Sequence, residues 1–430
     1  MNLDRSANLE NATASRRTAI VVGGGLVGGW SAFYLQQAGW QVRVFERDTF
    51  GSGASHGNCG YICPSHVLPL SGPGVIAKTL PALLTPGGAL SIPPRLDPTL
   101  WKWLYRFARE CTEAKQSIAA AGRHALLVSS GDLYRQFLAA TDCDCEWQEN
   151  GLMLVYKSSH EFQAYTTTAD LLREKFGLRI DAYPAEALSE LEPALKKGLG
   201  GGWHFPDDAH VRPDKLLKGL RQQIENAGGH IHEHCTVQSL RIENGKLLAI
   251  QTNQGTFDSE VMVLATGAEA PEFAKPLGCQ IPIQPGKGYS FTMPAFAEQP
   301  RIPMIFEESH VAVTPMQSGF RVGSTMQFTG YDRSLNRKRL QLLRRSAESH
   351  LAKPLPTEVS EEWSGWRPMV YDGLPCIDRA PAASNVIVAA GNGMIGLASS
   401  PATGKLVAEI ASEVTPHIDP YPYSLSRFNG

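Results

Sequence analysis

The chain has 430 residues, 43% of them hydrophobic and 19% charged, with a formal net charge of −2. That length exceeds what one simple core organises, so two lobes are expected, neither necessarily continuous in sequence. The near-neutral charge supplies no field to gather nucleic acid, and a small-molecule partner is expected instead.

Ser15-Arg16-Arg17 stands before an apolar stretch, as in a twin-arginine export signal, but Gly23, Gly24, Gly25, Gly28 and Gly29 break that stretch. A strand and glycine loop account for it better, and no run reaches the roughly 18 apolar residues of a spanning helix. The eight cysteines lack paired CxxC spacing. They are expected to be reduced thiols of a cytoplasmic protein that holds no metal.

Thr18 to Val22 predicts a strand, Gly23-Gly24-Gly25-Leu26-Val27-Gly28 a glycine turn opening a helix, and Gly39 the helix stop. Gln41 to Phe45 predicts the next strand, ending at Glu46 and Arg47. Gly23 permits the tight turn, Gly25 lets backbone N–H groups approach a diphosphate, and Gly28 allows close helix-to-strand packing. The diphosphate then meets the unpaired N–H groups and positive dipole end of the helix, beside Leu26 and Val27. Glu46 is placed to accept both hydroxyls of an adenosine ribose, and its charge disfavours a 2′-phosphate. Arg47 is assigned to the same cofactor-facing set.

The run from Gly51 to Ile62 is too poor in apolar bulk for a core. It suits a segment lying flat along an extended ligand, with Ala54, Ser55, Asn58, Gly60, Tyr61 and Ile62 against it; a flexible loop is the alternative reading. Residues 66 to 94 are rich in Pro, Gly and Leu. The predicted helix Pro98 to Arg109 combines Trp101, Trp103, Leu104 and Phe107 with Lys102, Arg106 and Arg109. Such a helix suits peripheral contact with a membrane face or ordinary packing.

His230, His232 and His234 alternate along a predicted strand, which puts them on one face; a solvated face is expected there and not a metal site. Two later strands each run into glycines: Asp258 to Leu264 enters Ala265-Thr266-Gly267, and Asn385 to Ala390 enters the loop Gly391, Asn392, Gly393, Met394, Ile395, Gly396, Leu397. Distant parts of the chain thus return to one sheet and one ligand. Ser399-Ser400-Pro401 predicts a helix start. No second strand-GxGxxG-helix unit is visible, so the electrons are expected from an organic substrate and not from NAD(P)H.

With these segments placed, the chain resembles the DAO-type FAD-dependent oxidoreductases, and within them the small-subunit type of bacterial D-amino-acid dehydrogenases. The likeness runs from about Ala19 to Leu406. It includes Ala54-Ser55-His56-Gly57-Asn58-Cys59-Gly60, Lys287-Gly288-Tyr289-Ser290, Phe320-Arg321-Val322-Gly323, Gly365-Trp366-Arg367-Pro368-Met369 and Asp372-Gly373-Leu374-Pro375.

The resemblance implies an α/β fold: a discontinuous Rossmann-type FAD domain (16–64, 203–277 and 375–414) and an α+β substrate domain with a mixed sheet (65–202 and 278–374), flanked by tails at 1–15 and 415–430. It implies FAD as cofactor, with Val237 beside the adenine. It also implies oxidation of an amino acid at the carbon bearing the amine, with electrons passed to a quinone or oxygen. D-amino acids and cyclic proline derivatives are the expected substrates. An N-substituted amino acid such as sarcosine or an opine is the alternative, and a catalytically silent FAD-binding subunit a second one. Chirality, side-chain preference and oligomeric state stay open. His56 and Cys59 occupy a loop that in related flavoproteins can carry a histidine bonded to the flavin, but the surrounding residues match the non-covalent members.

Three residues are assigned to the chemistry. Arg367 offers a planar, permanently charged fork for an α-carboxylate, walled by Trp363, Trp366 and Met369; a surface arginine packed on tryptophan is the alternative. Tyr289, in a glycine-flanked turn, is placed to donate its phenol to the same carboxylate or else merely to pack. Backbone carbonyls near Met394 are placed to accept from the substrate amine.

Overall fold

The computed structural model describes residues 17–77, 88 and 90–429. The tail 1–15 with Ser15, as well as Arg16 and part of the 66–94 stretch, lies outside the described residues.

Six strands form one sheet in the spatial order Cys376–Ala380, Ala383–Ala390, Val261–Leu264, Thr18–Val22, Gln41–Phe45, His230–His232. All neighbours are parallel except the first pair. Both faces are buried, as a parallel sheet requires. Val21, Val44 and Val263 face the helices Leu26–Gln37, Gly396–Ser412 and Pro213–Asn226, while Ile20, Phe45 and Met262 face the other side. Trp30 sits at the helix junction with 0% exposure, packed edge-on against Tyr134 and Phe137. Burying one such side chain contributes about 1.5–3 kcal/mol. A three-stranded antiparallel meander, Val237–Glu243, Lys246–Thr252 and Gly255–Phe257, is attached beside this sheet.

The second large element is a nine-stranded mixed sheet. Its centre is Glu361–Val370, Ile283–Met293, Gly319–Gln327, Val311–Met316, Met304–Phe306, Leu152–Tyr156 and Gly201–Phe205, in that spatial order. One face packs on the helix Arg337–Glu348 through Phe291, Phe320, Val322 and Leu343. The opposite face covers the strand ends of the parallel sheet.

Several expectations are corrected by the structure. The boundary expected at 203 cuts through Gly201–Phe205, which pairs along its length with Leu152–Tyr156 of the large sheet. The expected C-terminal tail is docked: Tyr423 and Phe428 are buried, the Tyr423 hydroxyl donates to Gly122 O at 2.7 Å, and Arg427 pairs with Asp372 at 2.7 Å. The strand expected from Asp258 begins at Val261.

The three histidines do not share a face. His230–His232 is the strand, and His232 stacks on Phe45 at 4.6 Å. His234 lies past the strand end at φ 54°, its N–H donating to Asp48 O. The helix expected at Ser399 begins at Gly396, with Pro401 inside it. Proline cannot donate to the carbonyl four residues back. That carbonyl, on Leu397, instead accepts from Tyr134 Oη at 2.8 Å and Ser400 Oγ at 3.0 Å.

The helix Pro98–Glu110 is capped by Asp97, which accepts from the N–H groups of Thr99 and Leu100. Its aromatics divide between two roles. Trp103 is buried and donates to Pro282 O at 3.0 Å, whereas Trp101 and Tyr105 are 56% and 64% exposed. Among the described residues, no helix is long and apolar enough to cross a membrane.

Candidate active site

A continuous cavity of about 1740 Å³ runs from the carboxyl ends of the parallel strands to the inner face of the large sheet. Open α/β sheets bind ligands at this end, where the chain leaves the strands.

At the cofactor end the chain turns after Val22 at Gly23, whose φ of +104° is closed to ordinary side chains. Gly23, Gly25, Leu26 and Val27 line the cavity, and Gly25 caps the helix Leu26–Gln37 without a side-chain acceptor of its own. Ser55, from the 51–62 segment, meets the helix start instead: its Oγ accepts from Leu26 N–H at 3.0 Å. Glu46 lines the wall and accepts from Gly24 N–H at 2.7 Å and Asp48 N–H at 2.8 Å. Arg47 also lines it, with Nη1 held by Glu269 at 2.7 Å. Gly28 stays out of the cavity, pressed onto Gly23 where any side chain would collide with that residue's carbonyl.

Val237, Ala265, Thr266 and Gly267 continue the same wall. The hydroxyl of Thr266 is buried with no hydrogen-bond partner among the described residues. An unmatched buried hydroxyl costs roughly 1–3 kcal/mol, so a polar ligand is called for here. Together with the acid-free first turn of the glycine-led helix, this donor set fits an anionic dinucleotide. Farther along, Gly391, Gly393, Met394, Ile395, Gly396 and Leu397 line the cavity, with the helix start at Gly396 directed into it. Met394 is 41% exposed.

Within the 51–62 segment, Ala54, Ser55, Asn58 and Tyr61 line the cavity, whereas Gly60 and Ile62 do not. Gly60 lies over Val211 O, and Ile62 is 2% exposed in the core, paired in a short strand with Ala209. The expected flat segment is held down by residues that sequence reasoning missed. Arg321, 0% exposed, donates through Nη1 to the carbonyls of His56 and Asn58, both at 2.8 Å. Ser290 Oγ donates to Gly57 O at 3.0 Å and Thr314 Oγ1 to Cys59 O at 2.6 Å. His56 is turned toward Glu361, 2.5 Å from its Oε1, and that contact draws the Glu361 pKa below its ordinary value. Phe320-Arg321-Val322 was visible as a motif, but nothing local says that Arg321 reaches across to another sheet's loop.

Arg367 lines the cavity from the strand Glu361–Val370. Its guanidinium lies over Gly288, where a side chain would strike it, and Nη1 donates to Thr325 O at 2.8 Å. It has no carboxylate partner among the described residues. Burial pulls its pKa below the ordinary value, only partly offset by the nearby Cys59 thiol.

Tyr289 differs from expectation. It lies in the middle of the strand Ile283–Met293, not in a turn, and its ring packs with Phe291 and Met293 on the face turned to the helix Arg337–Glu348. Its hydroxyl is bonded to the Gln327 side-chain amide at 2.7 Å. Ser290, its neighbour, faces the 51–62 segment and donates to Gly57 O, although Tyr289 is itself among the residues that line the cavity. Strand alternation therefore aims the phenol away from Arg367.

Comparison with known proteins agrees with this architecture. The model of the FAD dependent oxidoreductase family, DAO, matches residues 18–410. The chain is 30% identical over 400 residues to a D-amino acid dehydrogenase of Paramagnetospirillum magneticum, covering 91% of this chain and 94% of that one. It is 28% identical over 414 residues to a D-amino acid dehydrogenase of Agrobacterium fabrum, covering 95% and 99%. Among solved structures, glycine oxidase from Geobacillus kaustophilus superposes with a TM-score of 0.79 at 23% identity, covering 96% of this chain and 100% of that one. L-proline dehydrogenase from P. horikoshii gives 0.74 at 19% identity, covering 96% and 98%.

Proposed function

The chain belongs to the DAO family of FAD-dependent oxidoreductases, and from that premise we propose that it oxidises an amino acid, D-configured or cyclic, at the carbon bearing the amine. The observation that carries this reading is Arg367: a cation inside the cavity, bonded to one carbonyl and to no carboxylate among the described residues. An unpaired buried charge is costly, and a substrate α-carboxylate on its fork offsets that cost.

Bound FAD supplies the two-electron acceptor for the hydride that leaves the α-carbon. Gly23, Gly25, Glu46 and Thr266 would hold its ADP half, and Ala54 to Tyr61 with Gly391 to Leu397 its other half. No bond from His56 is needed, since that ring is engaged by Glu361. The chain's own contribution is orientation: Arg367 grips the carboxylate, carbonyls of the 391–397 loop accept from the neutral amine, and the large sheet excludes water. The imine from a primary amine hydrolyses to a 2-oxo acid and ammonia, whereas a cyclic substrate yields a cyclic imine that keeps its nitrogen. Electrons pass on to a quinone or another acceptor, and the exposed Trp101 and Tyr105 support contact of the helix Pro98–Glu110 with a membrane face.

The test is anaerobic mixing of the purified yellow protein with D- and L-amino acids, N-methyl amino acids and hydroxyprolines, following absorbance of the flavin band. Bleaching by D- or cyclic amino acids is the expected result. Bleaching by N-methyl glycine alone moves the assignment to N-substituted substrates, and no bleaching by any amine leaves only a flavin-binding role.

A further inference from the structure

The amino-acid reading leaves open what the far end of the cavity recognises. Pairing registers of the large sheet bear on this. Tyr289 pairs with Ser324, Ser324 with Val311, Val311 with Phe306, and Phe306 with Val155. Just past these pairs come Gly288, Thr325, His310, Glu307 and Tyr156 in a row across the sheet, with Glu307 in the 3-10 turn Glu307–Ser309 that follows its strand and His310 capping that turn. Arg367 lies over Gly288 at one end of this row, and Glu307 stands three strands away. At about 4.8 Å per strand the two positions are about 14 Å apart. Gly288, Thr325, His310, Glu307 and Arg367 all line the cavity.

The Glu307 end is the electrical opposite of the Arg367 end. Its carboxyl makes no hydrogen bond or ion pair among the described residues. Glu308 is its sequence neighbour, and accepts from the N–H groups of Lys157 and Ser158 at 2.8 and 3.1 Å. The phenol rings of Tyr156 and Tyr165 stand nearby, 5.9 Å apart. Burial, reinforced by Glu308, pushes the Glu307 pKa up to about 7. A half-buried carboxyl that lines the cavity and has no partner among the described residues is free to accept from a ligand group that donates to it.

We propose that Glu307 is a specificity residue: the amino acid carries a hydrogen-bond donor on its side chain, hydroxyl or ammonium, which meets Glu307 while the α-carboxylate lies on Arg367. This rests on the amino-acid reading above, with Arg367 as its other anchor.

The test is steady-state kinetics of the holoenzyme with an artificial electron acceptor on matched pairs, 4-hydroxy-D-proline against D-proline and D-lysine against D-norleucine. Wild type, Glu307→Gln and Glu307→Leu are compared after checking flavin content and melting temperature. The wild type should favour the donor-bearing member of at least one pair by ~10-fold or more in kcat/KM. Glu307→Leu should erase that preference through KM, leaving the plain member within about twofold. Glu307→Gln, nearly isosteric, should keep a hydroxyl preference through its amide oxygen and lose an ammonium preference, which identifies the donor. Equal losses on both members of each pair, or a preference unchanged in Glu307→Leu, would overturn the role of Glu307 while leaving amino-acid oxidation in place. Absence of turnover with every amino acid would overturn both.

Discussion

The six-stranded parallel sheet contributes its strand ends to the cavity, whereas the nine-stranded sheet contributes one of its faces. At the strand ends the contacts on offer are mostly main chain: the Gly23 turn, the Gly25 backbone, the 391–397 loop. On the face they are single side chains set by register, Arg367 over Gly288 and Arg321 over the 56–58 carbonyls. On the proposed function, cofactor binding by the first region should tolerate most side-chain changes, Glu46 and Thr266 apart, but not a change of backbone path. Substrate reading by the second should behave in the opposite way, with one side chain, Arg367, carrying the function while its neighbours pack.

The largest effect should come from breaking the backbone path. A side chain at Gly28 would press on the Gly23 carbonyl, and overpacking of that kind costs about 3 kcal/mol, or roughly 100-fold in FAD affinity. Gly28→Val should be purified largely colourless and inactive. Flavin content at the wild-type level would end the claim that this half works through main-chain geometry.

Arg367→Ala is the converse experiment and should come next in size. Removing one partner of a buried charged contact costs about 2–3 kcal/mol, so KM should rise roughly 30- to 100-fold. The flavin should remain bound at full occupancy. Unchanged kinetics would take Arg367 out of the site, and loss of flavin would show that the two regions do not divide their tasks as described.

A third test, read in stability and not in flavin content or turnover, concerns the seam between the regions. Asp208, 1% exposed, accepts from the Ser65 N–H at 3.2 Å and from its hydroxyl. Burial raises its pKa from 3.8 to about 7. Between those values the native state binds the proton that the unfolded chain has released. The stabilising contribution is thus full below about pH 4 and is lost as pH rises through about 7. Asp208→Asn lacks this dependence, so its melting temperature should gain on the wild type steadily from pH 4 to pH 8. The gain corresponds to at most about 4 kcal/mol. Other buried groups, such as His66 with its pKa lowered to about 4 by burial, are common to both proteins and cancel in the difference. A pH-independent difference would place Asp208 in ordinary ionised form.

Much of the first region was legible from neighbouring residues. Strand, glycines, helix, strand and acid succeed one another between Thr18 and Glu46, and the structure brings Gly23, Gly25 and Glu46 to one wall. Two later strands running into glycines were also legible, because a strand that ends in a turn does so by its own composition. The 391–397 loop stands in the cavity as that pattern implied, although the helix after it starts at Gly396 and not at Ser399. Its start depended on Tyr134, a residue of another helix, supplying the donor that Pro401 lacks.

By itself, then, the amino-acid sequence determined the cofactor half, since turns, caps and strand ends are decided by residues a few positions apart. Only the tertiary structure decided which way Tyr289 points, that Arg321 clamps a distant loop, and that Glu307 lines the same cavity as Arg367. The physical reason is the two-residue repeat of a strand: a one-residue slip in pairing turns every side chain to the other face. The pairing is decided by partners from far along the chain.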